Sequence, residues 1–511
     1  MSKFYLTTPI YYVNASAHVG HAYTTIISDC MARFKRIKGD EVFFLTGTDE
    51  HGEKIRKAAE AKGQDPQGFV DEIVGNFIQL WKTLHISYDC FVRTTQDSHI
   101  RVVQEAIRIL YEKGDIYKAS YRAFYCMPCE CFWTESQVKE AGGCPDCKRS
   151  VEKIEEENYF FALSKYEQWL RQYLNEHPQC IKPKIRYNEV MGFLENNKLN
   201  DLCISRPKKR VSWGINFPFD EQYVVYVWFD ALLNYISAAG FHLDQKKFTA
   251  YWPADIHFMA KDILKQHAVF WPIMLKALDL QPPRVVFAHG WWKMGDEKMS
   301  KSRGNIVNPL EVITQLGGGD SGVDALRYFL LREVPIGMDG NFSWKALIGR
   351  TNSDLANDLG NLVYRTLNMV EKYYNGHLEA SRAMPDEFKE PLAALTVRYI
   401  ALMDESDFPG TLECIFKFIS VMNKYIEDTK PWVLWKEKKE NEIKEFLYAL
   451  LEGIRIIAVY LYPFMPATAI SIRRQLGIAD PSSFFISQAQ WSMADNFITK
   501  KEQPLFPRLE D

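Results

Sequence analysis

The chain has 511 residues, 47% of them apolar and 25% charged, with a formal net charge of −3. That length accommodates two to four domains and a large core. The composition is that of an ordinary soluble globular protein, and the near-neutral balance excludes capture of a polyanion by overall charge, leaving local basic patches for that task. The first residues lack the apolar core of a signal peptide. The most apolar stretch, 456–472, contains Pro463 and Pro466 and is too short to span a bilayer, so it reads as a buried helix pair. Five of the ten cysteines fall between Cys126 and Cys147, which suits a metal site in a reducing cytosol better than a disulfide framework.

Residues 4–8 (Phe-Tyr-Leu-Thr-Thr) read as a buried strand ended by Pro9. A helix-period run follows in which Ile27, Cys30, Met31 and Phe34 share a face, with Gly39 as its stop. Between them lies His18-Val-Gly-His21, two histidines at a strand-to-helix turn, where backbone N–H groups attract anions and Gly20 lets a phosphate approach the main chain. Residues 41–47 predict a second buried strand, ending in the polar run Thr48-Asp49-Glu50-His51-Gly52. Asp49 is read there either as a helix N-cap or as a ligand group. Helical pattern continues through Trp81, residues 90–92 predict a strand, and another helix runs towards Tyr111. This alternation argues for an α/β fold with a doubly wound parallel sheet, whose ligands bind at the carboxyl ends of the strands. His18, His21, Asp49 and His51 all fall at such ends.

From about Asp115 the character changes. Cys126-x-x-Cys129 and Cys144-x-x-Cys147, fourteen residues apart, are spaced to offer four thiolates to one structural zinc ion. Cys131 beside them reads as a small buried apolar residue. Pro183, Pro207 and Pro218 punctuate short mixed elements, consistent with an insertion in the main fold. The sheet pattern resumes at 223–230, read as a strand leading into an apolar helix with Tyr235. Residues 256–263 precede a helix carrying His267 and Trp271, and 284–288 predict a further strand ending in His289-Gly290. Lys298-Met-Ser-Lys301-Ser-Arg303 is a cationic loop, readable as solvated surface or as a polyphosphate clamp.

Beyond about Ser343 the period is helical. Leu355, Leu359, Leu362, Val363, Thr366 and Val370 form an apolar seam, with Asn357, Asn361, Arg365, Asn368 and Lys372 on another face. That polar stripe reads as a solvated face or as a surface that matches RNA base edges. Pro431-Trp432 suits a helix start, and a helix bundle closes the chain.

His18-Val-Gly-His21 and Lys298-Met-Ser-Lys-Ser302 together resemble the paired signatures of class I aminoacyl-tRNA synthetases. More narrowly, the chain is similar to the methionyl-tRNA synthetase family through Pro9–Asn14, 46–52, the four-cysteine knuckle, 227–231 with Tyr235, 261–263 with His267, and 430–432. The resemblance implies a Rossmann-type catalytic domain (1–114 and 223–343) split by a zinc-bearing insertion (115–222) and followed by an α-helical anticodon-binding domain (344–511). Carried over by position, Ile10, Tyr12, Asp49, Trp228, Tyr235, Ile263 and His267 would line a methionine site, with Asp49 on the amino group and His267 offering a hydrogen bond to sulfur. His18, Gly20, His21, Lys261, Asp262, Lys298 and Lys301 would handle ATP, taken with Mg2+. Asn361, Arg365 and Trp432 would meet the anticodon of tRNA(Met), and Arg206 matches an arginine near the active centre. The first signature has Val19 for isoleucine, and Ala260 replaces the glycine usual before Lys261. The sequence ends without the extra C-terminal tRNA-binding domain of some relatives, which leads to the expectation of a cytoplasmic monomer. A catalytically silent RNA-binding relative and the cysteine enzyme of the same subgroup are the alternatives. The first would have lost a signature, and the second needs zinc ligands distributed along the fold.

Overall fold

A computed structural model describes residues 2–14, 16–127, 131–133, 135–145, 147–294, 297–298 and 307–510, with the backbone alone at 121–123, 131–132, 136 and 297–298. Cys129 and Lys301 lie outside the described residues, as do the side chains of Cys131 and Lys298. The first strand, β1 (Lys3–Thr7), is followed by the short β2 (Tyr11–Tyr12) and the long helix α1 (Val19–Lys38). Gly39 ends α1 with φ 97°, a conformation glycine adopts without steric cost. Then come β3 (Glu41–Asp49), helices α2 (Glu53–Ala61) and α3 (Pro66–Thr83), β4 (Cys90–Arg93) and α4 (Asp97–Glu112).

These strands belong to one seven-stranded sheet in which every described pairing is parallel. β1 stands at its centre. On one side lies β3, which pairs in turn with β4; on the other lie Ile256–Ala260, Val286–His289 and the two-residue edge strand Ile181–Lys182. Buried on both faces, the central strands are continuous apolar runs rather than alternating ones. The order reverses at β1, so a crevice opens at the carboxyl ends of β1 and Ile256–Ala260, where ligands of such sheets bind.

The stretch 223–230 corrects the sequence reading. Asp220–Val225 is a strand, but it pairs antiparallel with Ser205–Pro207 and Asn216–Phe217 in a separate three-stranded sheet. Val227–Leu232 is already helical, and Asn234–Ala239 follows as a second short helix. The apolar run carries no period that separates the two states. Tyr226 donates its N–H to Ile204 O at 2.8 Å, and the chain turns into the helix there. Trp228 and Tyr235 therefore stand on helices rather than at a strand's end.

The C-terminal part is helical. Its apolar seam is buried from Leu355 through Val370, and the 456–472 stretch resolves into Glu440–Leu461 and Pro466–Gln475. Among the described residues no helix is long and apolar enough to cross a membrane. A buried ionic knot joins this part to α1. Arg327, fully buried, gives Nη2 to Asp29 Oδ2 at 2.7 Å, Nε to Phe464 O at 2.9 Å and Nη1 to Leu84 O at 3.1 Å.

Candidate active site

The strand-to-helix turn after β1 caps α1 with two imidazoles. His18 Nδ1 accepts from Gly20 N–H at 3.0 Å, and His21 Nδ1 accepts from His18 N–H at 3.2 Å, a reciprocal capping box. A ring nitrogen that accepts from a backbone N–H carries no proton, so each neutral ring carries its proton on Nε2. The rings stack with centroids 3.9 Å apart, and Tyr11 meets His21 edge-on at 5.2 Å. This refines the expected role of backbone N–H groups. Val19 N–H is given to Val307 O at 3.1 Å and Gly20 N–H to His18 Nδ1, so these two amides are already engaged within the turn. A Cβ on Gly20 would lie 2.8 Å from His18 Cε1, so the glycine makes room for the ring.

The polar end of β3 is held rigid from behind. Glu50, fully buried, takes Arg93 Nε at 2.7 Å and Nη2 at 2.9 Å, and Thr95 Oγ1 at 2.6 Å. His51 Nδ1 lies 2.7 Å from Asp230 Oδ2, and His99 Nε2 lies 2.7 Å from Oδ1 of the same carboxylate. Burial opposes ionisation of Asp230, but the two histidines outweigh it and keep its carboxyl below the usual range. Asp49, just ahead of these anchors in the chain, lines the crevice. Its reading as a helix cap is overturned, because Gly52 is the N-cap of α2 and makes no side-chain cap.

One cavity of about 380 Å³ gathers Ile10, Tyr12, His18, Gly20, His21, Asp49, Trp228, Tyr235, Asp262, Ile263 and His267. Tyr235 and His267, both buried, line it as a hydrogen-bonded pair. His267 Nδ1–H donates to Ile263 O at 2.9 Å, so Nε2 is the acceptor for the Tyr235 hydroxyl at 2.7 Å. Burial pushes the His267 pKa down to about 4, keeping the ring neutral. Both ring nitrogens are thus engaged, and the expected hydrogen bond from His267 to a ligand sulfur is excluded in this arrangement; the ring orients the phenol instead. Tyr235 stacks on His257 at 4.1 Å behind it.

Lys261 is not part of the cavity lining. Its ammonium lies 2.7 Å from Asp339 Oδ1 and 4.3 Å from the Trp291 ring centroid. Ala260, in place of a glycine, has φ −79° and ψ 151°, which any residue adopts. Sequence reasoning passed over Lys54, Thr24, His289 and Trp291, which also line the cavity. The signal for three of them was position: His289 and Trp291 sit at the carboxyl end of a strand, and Thr24 is one turn past His21.

Elsewhere, Arg206 is buried with its guanidinium 4.3 Å from the Tyr226 ring centroid. The sulfurs of Cys126, Cys144 and Cys147 lie within 4.8 Å of one another, with Cys126 and Cys147 3.5 Å apart. Four sulfurs at ~2.3 Å from a tetrahedral zinc ion are about 3.8 Å apart, so these three fit that group. Asn361 and Arg365 share a face of helix Asn361–Tyr374, and Arg365 Nη1 pairs with Glu427 Oε1 at 2.7 Å. Trp432 is the second residue of helix Pro431–Lys436 and is 43% exposed.

A doubly wound sheet with this turn at its switch point points to class I tRNA synthetases, and the sequence matches the family described as "tRNA synthetases class I (M)" over residues 4–155 and 148–367. It is 48% identical to the methionine–tRNA ligase of Caldanaerobacter subterraneus subsp. tengcongensis, over 99% of this chain and 79% of the relative. It is 43% identical to that of Bacillus subtilis, over 100% and 78%. Its fold is similar to Mycobacterium tuberculosis methionyl-tRNA synthetase in complex with methionyl-adenylate, with a TM-score of 0.93 and 38% identity over 99% of this chain and 100% of the other. The chain belongs to the methionine–tRNA ligase family.

Proposed function

We propose that this chain activates methionine with ATP and transfers it to the 3′ end of tRNA(Met), with the residue roles that follow. In the first step a methionine carboxylate oxygen attacks the α-phosphorus of ATP, bound as its magnesium complex; the bond to the β-phosphate oxygen breaks and pyrophosphate leaves. The carboxylate is already a nucleophile, so no side-chain base is required, and catalysis comes from positioning and charge stabilisation. In the second step the terminal ribose hydroxyl of the tRNA takes the acyl group and AMP departs.

The observation that carries this reading is the single cavity with two unlike walls. On one, His18 and His21 carry their protons on Nε2 at the N-terminus of α1, suited to phosphoryl oxygens. On the other, Ile10, Tyr12, Trp228, Tyr235 and Ile263 make an apolar, aromatic pocket that favours a thioether. Asp49 between them holds the methionine ammonium group. Lys298 and Lys301 act on the phosphates, and Asp262 helps seat the nucleotide. Lys261 contributes its charge from its place on Asp339. Asn361, Arg365 and Trp432 read the anticodon. Cys126, Cys144 and Cys147, with Cys129 as fourth ligand, hold one zinc ion that is closed to substrate and stabilises the knuckle. The protein works as a cytoplasmic monomer, a state that light scattering checks against 59.4 kDa.

The test is amino-acid-dependent exchange of pyrophosphate into ATP, run with methionine, cysteine and leucine. Exchange with methionine alone supports the reading. Exchange with cysteine instead, or with none of the three, overturns it.

A further inference from the structure

Asp339, just ahead of the two-residue strand Gly340–Asn341, collects three donors from two segments, one at Lys261 and one at 291–293, both far from it in the chain. Lys261 Nζ lies 2.7 Å from Oδ1 and 2.9 Å from Oδ2, Lys293 Nζ lies 2.7 Å from Oδ2, and Trp291 N–H donates to Oδ1 at 3.0 Å. The carboxylate and both ammonium groups are largely buried, at 20%, 20% and 28% exposure. Burial works against the charge on Asp339, but hydrogen bonds from Lys261 and Lys293 overcome it and hold the carboxyl well below its usual range.

Each donor leads to the nucleotide side of the cavity. Lys261 directly follows Ile256–Ala260 and precedes Asp262. Trp291 lines the cavity and donates Nε1–H to Asp262 Oδ1 at 3.1 Å. Lys293 sits in the strand Trp292–Met294, which runs parallel to Gly340–Asn341 and antiparallel to Glu297–Lys298, with Lys293 opposite Lys298 in register. One carboxylate thus ties the end of a sheet strand, the cavity's Trp291–Asp262 contact and the strand that pairs with Glu297–Lys298, where the lysine signature begins in the sequence. Two ammonium groups this close repel unless a counter-charge lies between them.

We propose that Asp339 is a positioning residue for the ATP half of the site, acting through Lys261, Trp291 and Lys293. It touches no substrate. The proposal rests on the function argued above and adds a residue that neither signature contains. It makes an asymmetric prediction: loss of the carboxylate disturbs the nucleotide side and leaves the methionine wall, built on Tyr12, Trp228 and Tyr235, unaffected.

The experiment compares wild type, Asp339→Asn and Asp339→Glu in methionine-dependent pyrophosphate exchange, with ATP and methionine varied separately. For Asp339→Asn, kcat/KM for ATP is expected to fall on the order of 100-fold, the size of effect a ~1 Å misplacement brings. KM for methionine should stay within about twofold and Asp339→Glu should recover most of the loss, since glutamate restores the charge. Lys293→Met reads the same link if Asp339→Asn does not fold, and should show the same ATP-selective loss. Unchanged ATP parameters, or equal losses for both substrates without rescue by glutamate, overturn the positioning role. Wild type without any exchange brings down the functional reading and this proposal together, whereas an active wild type with an indifferent Asp339→Asn overturns the proposal alone.

Discussion

Tyr235 donates its phenolic hydrogen to His267 Nε2 across 2.7 Å, and His267 can accept it because its other nitrogen is committed to Ile263 O. The pair fixes one rotamer of the phenol at the apolar wall of the cavity. Tyr235→Phe keeps the ring and its stacking on His257 but leaves a buried imidazole nitrogen without its donor, a cost of about 1–3 kcal/mol. The expected outcome is a lower unfolding midpoint and a methionine KM raised about tenfold, with the ATP KM unchanged. Calorimetry and exchange kinetics with each substrate varied check the two parts.

The same chemistry sets a direction for pH. Burial lowers the pKa of His267 to about 4 and that of His289 to about 4, and pushes His257 well below 6.5. The unfolded chain protonates these histidines near 6.5 and the folded chain only far lower, so unfolding takes up protons as pH falls through that window. Stability should therefore drop between pH 6.5 and 4, by on the order of 3 kcal/mol for each of His267 and His289. Asp324 runs the other way. Burial raises its carboxyl to about 6, so the folded state holds its proton first and gains a smaller stabilisation between about pH 6 and 4. Urea unfolding at a series of pH values should show the histidine trend prevailing; stability that rose on acidification would refute it.

How far the chain could be read in advance follows from where each signal resides. The central strands are legible because a strand buried on both faces is a continuous apolar run, as in Phe4-Tyr5-Leu6 and Val42-Phe43-Phe44. The α1 cap is legible as a turn but not as two acceptor nitrogens, since tautomers depend on which backbone N–H faces each ring. Residues 223–230 misled because Val-Val-Tyr-Val-Trp-Phe satisfies a strand and a buried helix alike, and Ile204 O decides between them. Asp339 carried no local signal at all: its three partners reach it only once the sheet has brought 261, 291 and 293 to one edge.

Arg327 is the point where α1 meets the C-terminal helices. Its guanidinium reaches Asp29 on α1 and the carbonyls of Pro463 and Phe464 in the turn before Pro466–Gln475. Asp29 also takes Arg33 Nε at 2.8 Å and Ser87 N–H at 2.7 Å. Burial opposes its charge, yet the two arginines hold its carboxyl well below the usual range. Arg327→Met removes one counter-charge from a fully buried carboxylate and strands three carbonyls, and should cost about 3–5 kcal/mol. A urea midpoint close to wild type would show that the knot carries little of the stability.

Trp432 separates the two steps of the proposed reaction. It is exposed at the start of its helix and belongs to no part of the cavity. A base stacked on an aromatic ring is worth about 1–3 kcal/mol, so Trp432→Ala should lower kcat/KM for tRNA by roughly 10- to 100-fold and leave methionine-dependent exchange untouched. Equal loss in both assays would remove Trp432 from anticodon reading.

Gly20→Ala tests the turn at which both walls of the cavity meet. The new Cβ would lie 2.8 Å from His18 Cε1 and 3.0 Å from its Nδ1, closer than unbonded atoms allow. The ring must then swing off the Gly20 N–H, which breaks one arm of the capping box and unstacks His18 from His21. Loss of the cap itself costs about 1 kcal/mol, so the fold should survive. The two imidazoles that line the cavity, however, lose their stacked arrangement, and the effect on chemistry should exceed the effect on stability. We expect the exchange rate to fall by on the order of 100-fold while methionine, which the proposed function seats on Ile10, Tyr12 and Trp228, binds with a nearly unchanged KM. Single-turnover formation of the adenylate, followed alongside thermal unfolding, distinguishes these effects. A variant that loses stability and activity in proportion would assign the glycine to folding alone.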